Sequence, residues 1–242
     1  MADQPQQAET GAAEGGGNVR SQRTALAVLG LIAAIAVGFG LGFLANQFLH
    51  DEQPATPVAG SVDVGFAQDM TVHHNQAVEM AAIAIANAED PMVRDLAYDI
   101  LTTQQNQIGQ MTGWLSLWNQ PLLPTGDYMT WMDSGHDMSG HGTSPSGTAD
   151  QQSGMATMPG MASSEDMAAL RQARGAAADV LFLQLMLRHH EGGLPMMEYG
   201  AQYADVPTVR DLAQTMVATQ QSESHRMTQL LTEKGAAPLP MN

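Results

Sequence analysis

The sequence predicts an all-α protein: a four-helix bundle built from two repeated helical hairpins, with an N-terminal transmembrane helix. Three observations carry this. A segment containing two adjacent histidines recurs 116 residues downstream. Apolar residues in both copies follow the 3.6-residue period of an amphipathic helix, not the alternation of a strand. An uncharged apolar run lies near the N-terminus.

Residues 1–23 are rich in Gly, Ala and Gln, which predicts a disordered N-terminus. Residues 24–45 carry no charge and are long enough to span roughly 30 Å of hydrocarbon. Arg20 and Arg23 precede this run, and Asp51 and Glu52 follow it. The positive-inside rule then leaves the N-terminus cytoplasmic and the rest outside, as a single-pass cell-membrane protein. The run exceeds the apolar region of a signal peptide, and Asn46-Gln47-Phe48-Leu49-His50 is a poor cleavage site. An uncleaved anchor is therefore expected. Residues 46–60, with Pro54 and Pro57, read as a linker.

The first hairpin is expected over residues 61–119. Ser61 is a candidate cap, and Phe66, Met70, Ala77, Ala81, Ala84 and Ala88 form the apolar stripe. Asp90-Pro91 stops one helix and starts the next, with Asp90 as N-cap. The second hairpin is expected over 164–235. Its first helix should run from Ser164, a candidate cap, to Ala204, and Asp205-Val206-Pro207 makes the turn. The offset keeps Asp63 on Asp179, Phe66 on Phe182 and Met80 on Met196. It also keeps Pro91-Met-Val-Arg-Asp-Leu-Ala97 on Pro207-Thr-Val-Arg-Asp-Leu-Ala213. Two such hairpins bury each other's stripe as one four-helix domain over 61–235. Residues 236–242 are a tail.

Residues 120–163 lie between the hairpins and are rich in Gly, Ser, Thr and Met, with few aliphatic residues. They predict a flexible crossover. It carries Met129, Met132, His136, Met138, His141, Met155, Met158 and Met161. Methionine has no packing role in a solvated linker, so these residues are candidate soft-metal ligands.

Composition narrows the function. The net charge of −16, from 25 acidic and 9 basic residues, argues against nucleic acid. With no cysteine there is no disulfide, thiolate site or cysteine nucleophile. No G-x-S-x-G elbow or glycine-rich phosphate loop is present. Methionine, at 18 residues, outnumbers the 5 Phe and 4 Tyr. It can fill an aromatic-poor core or offer thioether ligands.

The repeated histidines sharpen this. On a helix, Met70 lies one turn before His73 and His74, and Met186 one turn before His189 and His190. Met80 and Met196 lie about 10 Å further along, in a second layer or a second site. Gln104, Gln107 and Met111, with Gln220, Glu223 and Met227, form the stripe expected to face them. Di-iron bundles need Glu-x-x-His, but Met stands at that position in both copies. Nearby carboxylates do not repeat: Asp69 matches Leu185, and Glu79 matches Pro195. His and Met donors together favour copper, as Cu(I) over Cu(II), or Ag(I). Binding should weaken below about pH 6 as imidazoles protonate.

At these residues the chain resembles the domain-of-unknown-function family 305, a ferritin-like bundle family. The resemblance rests on Phe66, Met70, His73, His74, Ala77 and Met80, and on Phe182, Met186, His189, His190, Gly193 and Met196. Gln220, Glu223 and Met227 match a further family element, which in the first copy reads Gln104, Gln107, Ile108 and Met111 without its glutamate. The resemblance implies extracytoplasmic copper handling. The chain departs at Glu191-Gly192-Gly193-Leu194-Pro195, where a kink or widened turn and a more open second site are expected.

The resulting expectation is a membrane-anchored binding protein for soft metal ions, serving sequestration, resistance or transfer. Its partners are metal ions and the membrane, with a homo-oligomer or a copper-handling protein as further candidates. Rival readings are a copper-dependent oxidase and a metal-free envelope interaction module.

Overall fold

The computed structural model describes residues 18–49, 56–132 and 154–242. Two compact units result, divided after Ala55. The first contains α1 (Asn18–Leu49). Within it, Gln22–Ala45 has a mean hydropathy of 2.4 and is long and apolar enough to cross a membrane.

The second unit holds α2 (Val62–Asn87), α3 (Pro91–Leu117), α4 (Ser164–Gln172), α5 (Ala176–Tyr203) and α6 (Pro207–Glu233). Among the described residues there is no strand, only a single bridge between Tyr128 and Met155. Ser61 caps α2 by accepting from the Val64 N–H at 3.4 Å, and Asp90 caps α3 through the Met92 N–H at 2.9 Å. Both satisfy N–H groups that a helix start leaves unbonded.

The third expected helix is two helices. α4 ends at Gln172 and α5 begins at Ala176. Gly175 between them adopts φ +60°, a region an L side chain rarely enters. Its N–H donates to the Asn87 carbonyl at 2.9 Å, so the break docks onto the end of α2. The cap is Ser163, not Ser164, in a reciprocal pair with Asp166. The helix continues through Pro195: α5 is helical from Ala176 to Tyr203.

α2 packs on α3 and α5 packs on α6 within each hairpin, and α2 on α5 joins the two. A Cβ added at Gly193 would lie 2.8 Å from the His73 ring, and one at Gly200 would lie 2.7 Å from Phe66. As one helix ascends the other descends, so α2 and α5 run antiparallel. The hairpins are also locked end to end. The Asp63 carboxylate accepts from Asp205 N–H (3.1 Å) and Val206 N–H (2.9 Å) at the turn before α6. Its repeat partner Asp179 accepts from Glu89 N–H (3.0 Å) and Asp90 N–H (3.3 Å) at the turn before α3. Arg94 and Arg210 donate to carbonyls of their own turns, which accounts for their place in the repeat.

The core has two halves. One contains Met80, Met186 and Met227, and the other Met70, Met111 and Met196. Each trio combines two methionines of one copy with the Met80 or Met196 position of the other.

Both described ends of the crossover are docked, where composition predicts a flexible segment. Asp69 Oδ2 accepts from the Met129 N–H (2.7 Å) and from Trp131 Nε1 (2.8 Å). Trp131 is buried against α2, and a Cβ at Gly65 would sit 2.2 Å from its ring. Burial raises the Asp69 pKa, opposed by these two hydrogen bonds. At the matching position of the second copy, Leu185 is buried in the core. At the other end, Gln76 grips Ala162 twice, donating to its carbonyl (2.9 Å) and accepting from its N–H (2.7 Å). The sequence signal was one buried tryptophan in an otherwise polar stretch.

Candidate metal centre

α2 and α5 each bring a histidine pair to the middle of the bundle. All four rings have 0% exposure. His73 and His189 meet across the helix interface, with ring centroids 3.7 Å apart and planes tilted by 33°. His74 and His190 turn outward, toward α3 and α6. His74 Nε2 is 2.8 Å from Gln107 Oε1, and His190 Nε2 is 2.7 Å from Glu223 Oε2. These two contacts occupy equivalent positions in the repeat. A carboxylate oxygen accepts, so His190 Nε2 is the donor in this contact.

Six imidazole nitrogens remain without a hydrogen-bond partner: both of His73, both of His189, and Nδ1 of His74 and of His190. The Pro159 carbonyl faces the His73 ring and the His73 carbonyl faces the His189 ring, neither closing a hydrogen bond of good geometry. The buried amides of Gln104 and Gln220, one helical turn before Gln107 and Glu223, are also unpartnered at both ends. Burial drives the His73 pKa down to about 3, assisted by charge repulsion from His74. Burial likewise takes His74 to about 4, opposed by its bond to Gln107. His189 is lowered well below its ordinary value by burial and by His73, His190 and His74. Neutral imidazole is the form that ligates metal.

The two glycines after His190 close the site; they do not open it. Gly193 admits the His73 ring. A Cβ at Gly192 would lie 2.4 Å from the Pro159 carbonyl, and Gly160 approaches His189 Cα and the Arg188 carbonyl. The segment Met158–Ala162 therefore lies against α5 as a strap. Met158 is buried in the same core half as Met70, Met111 and Met196. Met161 is half-buried and Met155 is 43% exposed. His136, Met138 and His141 lie outside the described residues.

Glu223 contacts the cluster through His190 and so orients that ring. Among the described residues, no three His or carboxylate side chains converge in metal-holding geometry. The in-plane lone pairs of two stacked rings do not meet at one point without a ring rotation. The donor set still fits a soft ion: neutral nitrogen, buried and unpartnered, with thioether sulfur one helical turn away on the same helices.

The architecture defines a class: an all-α bundle of two like hairpins enclosing a buried imidazole cluster. The chain belongs to the DUF305 family, a domain of unknown function, which it matches over residues 63–231. It is similar to the crystal structure of a DUF305 protein from Streptomyces coelicolor, inferred to be secreted: 41% identity, TM-score 0.65, covering 76% of this chain and 99% of that one. A DUF305 fragment from Deinococcus radiodurans is 31% identical, with TM-score 0.56 and coverages of 73% and 99%. CopM in its Cu(I)-bound form shares the fold at 23% identity and TM-score 0.51, with coverages of 71% and 96%. No curated protein matches the chain.

Proposed function

We propose that this protein is a membrane-anchored, extracytoplasmic binding protein for soft metal ions, with copper as Cu(I) the favoured cargo. The observation that carries this is the set of six unpartnered imidazole nitrogens in a fully buried cluster. Leaving a buried polar group unsatisfied costs about 1–3 kcal/mol, so a core built for packing alone would avoid it. His73, His74, His189 and His190 would supply nitrogen. Met70, Met111 and Met196, with Met80, Met186 and Met227, would supply sulfur from either half of the core. The crossover residues Met155, Met158 and Met161, with His136, Met138 and His141, would capture the ion or pass it on. α1 would serve as the anchor, with the bundle outside the membrane. CopM, solved in Cu(I)-, Cu(II)- and Ag-bound forms, agrees with a soft-metal cargo.

The test is titration of the full chain in detergent with Cu(I), Ag(I), Cu(II) and Zn(II) against competing chelators. Cu(I) and Ag(I) bind most tightly if the reading holds. Binding no tighter than that of a surface histidine overturns it. Oxygen-dependent turnover of Cu(I) replaces it with an oxidase.

A further inference from the structure

The four histidines are fully buried, so an ion can reach them only where the wall yields. Two sides are closed. α2 and α5 pack directly, with His73 on Gly193. The strap covers the His189 backbone and is clamped by both ends of the Gln76 amide.

Among the described residues, the side formed by α3 and α6 is different. α3 and α6 touch little, and a groove of about 380 Å³ lies between them. Thr103, Asn106, Gln107 and Gln110 of α3 line it with Leu212 and Thr215 of α6. A second groove of about 410 Å³ shares Gln110, Leu212 and Thr215 and extends it past Trp114 to Asp211. Gln107 is the one lining residue that also touches the cluster, through its 2.8 Å contact with His74. Gln107 is buried and thus stands between the groove and the imidazole. Beyond it lie the unpartnered His74 Nδ1 and the unpartnered Gln104 amide, one turn along α3.

We propose that the α3–α6 groove is the route by which the ion reaches the buried histidines, with Gln107 as its gating residue. This rests on the soft-metal reading above. The chemistry is continuous. The net charge of −16 draws cations to the surface. Hydroxyl and amide oxygens along the groove replace lost hydration, with Asp211 at its outer end. Swinging Gln107 breaks one hydrogen bond to His74, whereas freeing the strap breaks three, two to Gln76 and one from Asn242 to the Met161 carbonyl.

The experiment is stopped-flow uptake of Ag(I) by the full chain in detergent, with equilibrium stoichiometry measured on the same samples. Thr215→Trp fills the groove from an exposed position. It should slow uptake by about tenfold or more with stoichiometry unchanged. Gln107→Ala should accelerate uptake, and Gln105→Trp, on the exposed face of α3 outside the groove, should leave it unaltered. Wild-type rates in Thr215→Trp overturn the route. So does acceleration by Gln76→Ala with none by Gln107→Ala, which places access under the strap. A wild-type chain that takes up no Ag(I) overturns the soft-metal reading itself, and the route with it.

Discussion

His73 and His189 stand 116 residues apart in the chain and 3.7 Å apart between ring centroids. The two histidine pairs are therefore one cluster, not two sites, one per hairpin. Replacing His73 and His74 together by Ala should remove more than half of the bound Ag(I) or Cu(I). The same should hold for His189 and His190. Two independent sites would instead lose half each and leave the remaining half at wild-type affinity, which chelator competition resolves.

Acid should destabilise the metal-free protein. The folded-state pKa of His73 is about 3 and that of His74 about 4, against 6.5 for the ordinary side chain. A depressed histidine pKa means the unfolded state binds more protons once pH falls below 6.5. Stability then declines as pH drops from about 6.5 toward 4, by up to about 1.4 kcal/mol per pH unit for each such imidazole. Urea midpoints at pH 7.5 and pH 5 measure this. The same burial keeps His73, His74 and His189 neutral below pH 6, so metal uptake at pH 5.5 should stay near its value at pH 7. That differs from the pH 6 limit expected from unperturbed histidine.

Asp63→Ala and Asp179→Ala should each cost about 2–4 kcal/mol, because each leaves two backbone N–H groups of the opposite hairpin without an acceptor. Denaturant melts of the two variants should agree within about 1 kcal/mol if the locks are equivalent. The Asp179 variant also strips Lys234 of one of its two partners.

Gly193→Ala places a methyl group 2.8 Å from the His73 ring. At that distance the His73 ring or its contact with α5 must shift. A loss of about 1–3 kcal/mol in stability is expected from overpacking. A change in the histidine NMR resonances of His73 and His189, against unaltered His74, would locate the disturbance.

Met70→Leu and Met186→Leu conserve volume in the core, so stability should change by less than about 1.5 kcal/mol. Thioether ligation would show instead as weakened Cu(I) binding at unchanged thermal midpoint. Equal Cu(I) affinity in both variants assigns these methionines to packing alone.

Much of this protein is local and therefore readable in its residues. Ser61 and Asp90 cap the helices they precede, because a cap needs only a side-chain oxygen and the next turn's N–H groups. The 3.6-residue stripes gave the bundle, and the 116-residue offset gave its two-hairpin plan. The break before α5 was not readable. Gly175 looks like any glycine until its N–H is seen docked on Asn87.

The sequence by itself determined that two Met-flanked histidine pairs would sit mid-helix on equivalent faces, opposite Gln107 and Glu223. Only the tertiary structure decided that the pairs merge, that each methionine trio draws on both copies, and that Gly192 and Gly193 close the site. The physical reason is register. Helical period fixes which face a residue occupies, but not which residue of a distant helix it meets. That choice is made by the antiparallel packing of α2 on α5, where glycine on one helix makes room for an imidazole on the other.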